Sequence, residues 1–152
     1  MSAKDHRKLQ TRLLSSWKYI PIEVAPIAAY RVLAKLKELG SINPAIRASA
    51  LAKEGPLKTD QGFFIVDAPF PPLLLPSDVK AGQDGSGAVP GVWEVDTLSK
   101  KIKQIPGVLE VGIFSGLTGP QAQATGAIGG QKPVAAYFGM ADGSVEVRKA
   151  AV

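Results

Sequence analysis

Apolar and polar positions follow two different periods along this chain. Tyr19–Ala25 (YIPIEVA) is rich in β-branched residues and reads as a short strand. Pro21 has no N–H to give a ladder, which points to an edge strand or a strand start. Pro26 suits a first helical position. Ala29, Val32, Leu33, Leu36 and Leu39 then recur at helical spacing, with Arg31, Lys35 and Glu38 on the opposite face and Gly40 as a stop. That spacing predicts a helix over 27–39. Periodicity leaves 45–52 ambiguous; the brackets Asn43-Pro44 and Gly55-Pro56 favour a strand. Lys58–Gly62 is turn chemistry, and Phe63–Ala68 is mostly apolar on both faces, as a central strand should be.

Residues 69–91 hold Pro69, Pro71, Pro72, Pro76, Gly82, Gly85, Gly87, Pro90 and Gly91, and read as a surface insertion. Asp96 is the expected N-cap of a second helix. Leu98, Ile102 and Ile105 form its apolar stripe, three lysines its wet face, and Pro106-Gly107 its stop. Val108–Phe114 reads as a strand. The Gly/Ala/Gln-rich stretch 115–133 reads as a mobile loop. Val134–Phe138 and Ser144–Arg148 flank a turn at Asp142-Gly143 and form a hairpin. Up to residue 114 the order is strand, helix, strand, strand, helix, strand. The expected fold class is therefore mixed α/β (α+β): a ferredoxin-like split βαβ domain, β-α-β-β-α-β, plus a C-terminal β-hairpin. The hairpin either extends that sheet or belongs to another.

Composition and charge narrow the function classes. The 152 residues include no Cys, which excludes disulfides, thiolate nucleophiles and Cys-based zinc sites, and fits an intracellular, cytoplasmic protein. No apolar run approaches about 18 residues, so no membrane span is expected. The net charge of +5 is uneven: residues 1–18 carry +4 and the remainder only +1. A nearly neutral body argues against nucleic-acid binding. The basic N-terminal stretch also carries Leu9, Leu13 and Trp17 at i, i+4, i+8, part of what a transit peptide needs, but Asp5 speaks against one.

Candidate chemistry is sparse. His6 is the only imidazole, so a two-His metal site is impossible, and a solvated side chain is its ordinary reading. Asp60, Asp67, Glu94 and Asp96 are the carboxylates to weigh for acid–base work. Asp60 fits a turn and Asp96 a cap; Asp67, in a buried-looking strand, is the least ordinary, and a hydrogen-bonded structural or interface carboxylate is its favoured reading. Gly116–Gly119 and Gly126–Lys132 lack the spacing of a phosphate loop. Lys58–Val66 lacks the aromatic pattern of an RNA-binding sheet.

Four ordered stretches, PIEVAPIAAYRVLAKLKELG, GPLKTDQGFFIVDAPF, IPGVLEVGIFSG and DGSVEV, resemble the second half of the type A ribose-5-phosphate isomerase family. That family shows a P-x-E-V-x-P strand entering a helix, a TDNGNFILD-like strand, IPGVVEVGLF, and a last strand near its C-terminus. The insertion after Phe70 resembles that of fungal members. Gly62 stands where the family often has Asn, and 115–133 is longer than usual.

The resemblance implies aldose–ketose isomerisation of D-ribose 5-phosphate to D-ribulose 5-phosphate, in the non-oxidative branch of the pentose phosphate pathway. No metal or organic cofactor is implied. A carboxylate moves a proton between C1 and C2, and lysine and backbone donors stabilise the oxyanion. The family's acidic DGADE-like run and its KGGGGA-like run with the following catalytic Glu do not occur here, so no catalytic residue is assigned. The 152 residues alone are expected to be inactive, as a truncated chain would be. Asp5-His-Arg-Lys8 resembles the family's D-x-x-K segment, which makes Lys8 the substrate-binding candidate and Asp5 a weaker one. The implied division is 1–18 as a remnant of the catalytic α/β domain, 19–114 as the small ferredoxin-like domain with the 69–91 insertion, and 115–152 as Gly-rich loop and hairpin. The implied partners are a sugar phosphate and further copies of the chain, joined through the small domain; no nucleic acid or membrane is implied. The alternative is a non-catalytic assembly or small-ligand-binding module of ferredoxin-like fold.

Overall fold

The computed structural model describes residues 3–5 (as backbone), 8–12, 14–50, 55–80, 84–87 and 89–150. Their elements are β1 (Ala3–Asp5), β2 (Ile20–Val24), α1 (Ala29–Glu38), β3 (Ala45–Ile46), β4 (Phe64–Ala68), α2 (Val95–Lys103), β5 (Val108–Val111), α3 (Gly119–Thr125), β6 (Ala135–Gly139) and β7 (Val145–Lys149). Contacts divide the chain into two units, Arg12–Ile113 and a terminal unit of Met1–Thr11 with Phe114–Val152.

The Arg12–Ile113 unit is built on an antiparallel sheet in the order β3-β4-β2-β5. Strand alternation decides which side is covered. Ile20, Ile22 and Val24 of β2 are buried, with Val66 and Ala68 of β4 and Val111 of β5. They form one apolar cluster with Val32 and Leu36 of α1 and Leu98 and Ile102 of α2. Full burial of such side chains contributes about 1.5–3 kcal/mol each. The helices therefore cover one face, at the positions that helical spacing singles out in the sequence.

Four local readings are corrected. First, of the two alternatives for Pro21 the strand start holds and the edge does not: Pro21 is the second residue of β2, which β4 and β5 flank. Pro21 lies where the β2–β5 ladder ends, and its carbonyl accepts the Gly112 N–H at 2.8 Å. A strand residue's N–H and C=O point to the same side, so the missing donor falls at the last rung. A Cβ on Gly112 would stand 2.5 Å from the Pro21 ring. Second, the 45–52 stretch supplies only a two-residue strand, followed by an Ala48–Pro56 bridge; residues 51–54 lie outside the described residues. Third, the N-cap of α2 is Glu94, and Asp96 sits in the first turn.

The insertion 69–91 is woven into the core more deeply than its composition implies. Phe70 and Leu73 are buried, Leu74 bridges Glu94, and Ser86 bridges Trp93. The Trp93 indole donates to Leu39 O at 2.8 Å, closing the end of α1. Gly40, at φ +92°, lies so close to Gly91 that a Cβ would stand 2.3 Å from the Gly91 Cα. Arg12 donates to Asp78, which also accepts the Leu75 N–H at 2.8 Å.

The terminal unit has a three-stranded sheet, β1-β6-β7. β1 runs parallel to β6, with Ala3 opposite Tyr137 and Asp5 opposite Gly139, and β6 and β7 form the expected antiparallel hairpin. The hairpin thus belongs to a sheet of its own. The fourth correction falls at 115–133, where α3 replaces part of the expected loop. Thr118 and Gln121 form a reciprocal capping box, proline occupies the first turn, and Gly126 closes the helix at φ 69°.

Candidate functional site

Because β1 and β6 are parallel, both chains leave the sheet at the same end, beyond Asp5 and beyond Gly139. Ligands of α/β sheets collect at the carboxyl ends of parallel strands. Lys8 follows β1 by three residues and is exposed. Gly139 leads into the turn Met140–Ser144. There Asp142 accepts from the Ser144 N–H at 2.9 Å and its hydroxyl at 2.6 Å, and these bonds hold the Asp142 carboxyl below the usual carboxylate range. His6 lies outside the described residues.

The carboxylates singled out in the sequence serve the fold of the Arg12–Ile113 unit. Asp67 is half-buried and takes a two-point bond from Arg47, with Nε to Oδ2 at 2.9 Å. Arg47 also lies 5.7 Å above the centre of the Tyr19 ring. The bond to Asp67 raises the guanidinium's proton affinity further above its ordinary value. Glu94 is buried and accepts from Asp96 N at 3.0 Å, Thr97 N at 2.8 Å and Thr97 Oγ1 at 3.0 Å. Asp60 stands exposed in the turn that Gly62 N closes on Thr59 O at 2.8 Å. Among the described residues, no group of three or more His, Cys, Asp or Glu could hold a metal ion.

The glycine run is a helix ending. Gly126 follows α3, and Ala127 N bonds to Ala122 O at 2.9 Å. Carbonyls, not N–H groups, gather at such an end, which disfavours an anion. Gly130 sits so close to Thr118 that a Cβ would stand 2.4 Å from its carbonyl carbon. Beside it opens a cleft of about 530 Å³, lined by Phe114, Pro120, Lys132, Val134 and Tyr137 among others. Its wall comes from one stretch of the chain, residues 114–137, most of it the run Gly130–Ala135.

The family model of ribose 5-phosphate isomerase A (phosphoriboisomerase A) matches residues 2–125. The chain belongs to this family. Ribose-5-phosphate isomerase of Mycosarcoma maydis is 36% identical over 150 residues, 97% of this chain and 40% of the relative. That of Schizosaccharomyces pombe is 37% identical over 147 residues, 96% of this chain and 41% of the relative. Ribose 5-phosphate isomerase A of Methanocaldococcus jannaschii superposes with a TM-score of 0.65 at 27% identity, over 97% of this chain and 48% of that one. A D-ribose-5-phosphate isomerase in complex with phospho-erythronic acid superposes with a TM-score of 0.64 at 26% identity, again over 97% and 48%. The chain therefore spans less than half the length of these isomerases.

Within the isomerase family match lie Lys8, the whole Arg12–Ile113 unit and α3; β6 and β7 lie beyond it. The relatives' alignments extend over nearly the whole chain, hairpin included. Among the described residues, no helix is long and apolar enough to cross a membrane.

Proposed function

We propose that these residues serve an isomerase that interconverts D-ribose 5-phosphate and D-ribulose 5-phosphate. The family match over residues 2–125 carries this reading. In the reaction a carboxylate takes the C2 proton of the aldose and returns it to C1, while the developing enediolate oxygens are held by fixed donors. Phospho-erythronic acid, the ligand of one structural relative, carries a carboxylate and a phosphate on one short chain, the charges such an enediolate would show. No metal or organic cofactor is needed for this proton transfer. Lys8 is the residue of this chain assigned to the substrate, as a cation for a developing oxyanion; its place after a parallel strand supports that role. The carboxylate base is assigned to the part of the isomerase without a counterpart here, so the 152 residues alone give no turnover.

The same reading makes the Arg12–Ile113 unit a ferredoxin-like domain. Its support is the order of the four strands, with the first and third adjacent in the centre and the second and fourth at the edges. Subunit association through this domain is part of the proposal, supported by the exposure of Ile27 and Tyr30, 100% and 81%. The experiment is a chimera in which this chain replaces its matched segment in the Schizosaccharomyces pombe isomerase. Turnover of ribose 5-phosphate is expected, and Lys8→Ala should lower kcat by about 10²–10³-fold. A folded chimera without turnover would overturn the reading; full activity of Lys8→Ala would remove the lysine from it.

A further inference from the structure

Lys8 stands four residues before Arg12, where the chain enters the Arg12–Ile113 unit. Four extended residues span at most about 14 Å, so whatever fixes Arg12 confines Lys8. Arg12 is held in three ways. Its guanidinium donates to the Asp78 carboxylate, in the 69–91 insertion. Its carbonyl accepts the Ser15 N–H at 3.3 Å and the Ser15 hydroxyl at 2.6 Å, which closes a turn. Inside that turn Leu14 has φ 65°, and its side chain packs against the buried cluster. Leucine rarely takes this left-handed backbone, because its Cβ crowds the following carbonyl. Such a residue persists only where its surroundings impose it, and such residues gather at functional segments.

The insertion holds Asp78 just as firmly. Asp78 ends the short turn Pro76–Asp78: its N–H donates to Leu75 O at 2.9 Å, and its Oδ2 takes back the Leu75 N–H at 2.8 Å. Just upstream, Leu73 is buried. Leu74 is tied to the start of α2 by both its backbone groups, donating to Trp93 O at 2.8 Å and accepting from Val95 N at 3.1 Å. The carboxylate that grips Arg12 therefore stands on a loop anchored in the core. A solvent-exposed ion pair adds little to stability. What it changes here is the position of Arg12. We propose that Asp78 is a positioning residue: through Arg12 it fixes the segment that presents Lys8, and so ties the insertion to the substrate lysine. The role given to Lys8 rests on the isomerase reading; the anchor does not.

Two measurements test this. In the chimera with the Schizosaccharomyces pombe isomerase, Asp78→Asn should lower kcat and kcat/KM together by about tenfold or more, with KM unchanged, because Lys8 is displaced and not removed. Asp78→Glu keeps the charge and should retain most of the activity. Added to Lys8→Ala, Asp78→Asn should cause no further loss, since it acts only through the lysine. Arg12→Gln, at the other end of the pair, should reproduce Asp78→Asn and replaces it if that variant does not fold. In the 152-residue chain, NMR order parameters of the Leu9–Thr11 amides should lie near the rigid value of about 0.85 and fall toward about 0.6 in Asp78→Asn, with β2 unchanged. A folded chimera without turnover overturns the isomerase reading, and the order parameters then decide the anchor alone. Full activity of Asp78→Asn in an active chimera, the same further loss in the Lys8→Ala background, or unchanged order parameters overturns the proposal.

Discussion

The two units bury apolar side chains very differently. Fifteen buried hydrophobic residues of the Arg12–Ile113 unit form one cluster, whereas among the described residues the terminal unit buries only Ala122 and Phe138. Both units have strands, helices and capped turns, so secondary structure does not separate them. Burial does, and burial is the dominant favourable term in folding. The first unit carries one contiguous apolar core; the second, among the described residues, has no cluster of that size. Lys8, the proposed substrate-binding residue, lies in the second unit.

Substitutions can break this contrast, beginning with the core. Ile22, with no exposed surface, lies between β4 and β5; Ile22→Ala should cost about 2–5 kcal/mol in urea unfolding, while Val147→Ala should stay within about 0.5 kcal/mol. Equal costs would erase the distinction between the units. Gly112→Ala comes next. Its Cβ has to push the Pro21 ring off the end of the ladder, at about 1–3 kcal/mol, whereas Gly119→Ala in the terminal unit meets nothing within 4 Å and should not show this penalty. Glu94→Ala removes the N-cap of α2 and should lower stability by about 1 kcal/mol, read as a shift in the urea midpoint at constant slope.

The smallest effect is electrostatic. Arg12, followed by the Leu75 N–H, holds the Asp78 carboxyl below its usual range. A carboxyl lowered on folding contributes stability that is fully present above its unfolded value, about 3.9, and is lost as pH falls through the lowered folded value. Asp78→Asn should therefore flatten the decline of Tm below about pH 4, and leave the slope near neutrality unchanged. The pair is solvent-exposed, so the change should be slight and should fade in high salt.

Much of the Arg12–Ile113 unit was legible in the sequence because burial writes itself into spacing. The 3.6-residue pattern of Val32, Leu36, Leu98 and Ile102 and the alternation of Ile20, Ile22 and Val24 are direct records of one covered face. Ladder ends are not so recorded: Pro21 looks the same at an edge and at the last rung of a central strand. Glu94 was missed because capping favours the shorter Asp, whereas here the buried glutamate accepts from Asp96 N and Thr97 N. In 115–133 the glycines masked a readable signal, since Thr118 with Gln121 three residues later and a proline between them is a helix start. The candidate site was legible only as Lys8, the last residue of a D-x-x-K segment. Its remaining parts depend on pairings between distant residues, such as Ala3 with Tyr137, that no local pattern encodes.

The contrast between the units is tested most directly by native-state hydrogen exchange on the 152-residue chain. Amides of β2 and β4, which lie at the centre of the buried cluster, should exchange only through global unfolding, while those of β6 and β7 should exchange faster, through local opening. Protection of β6 equal to that of β2 in the chain alone would contradict the account.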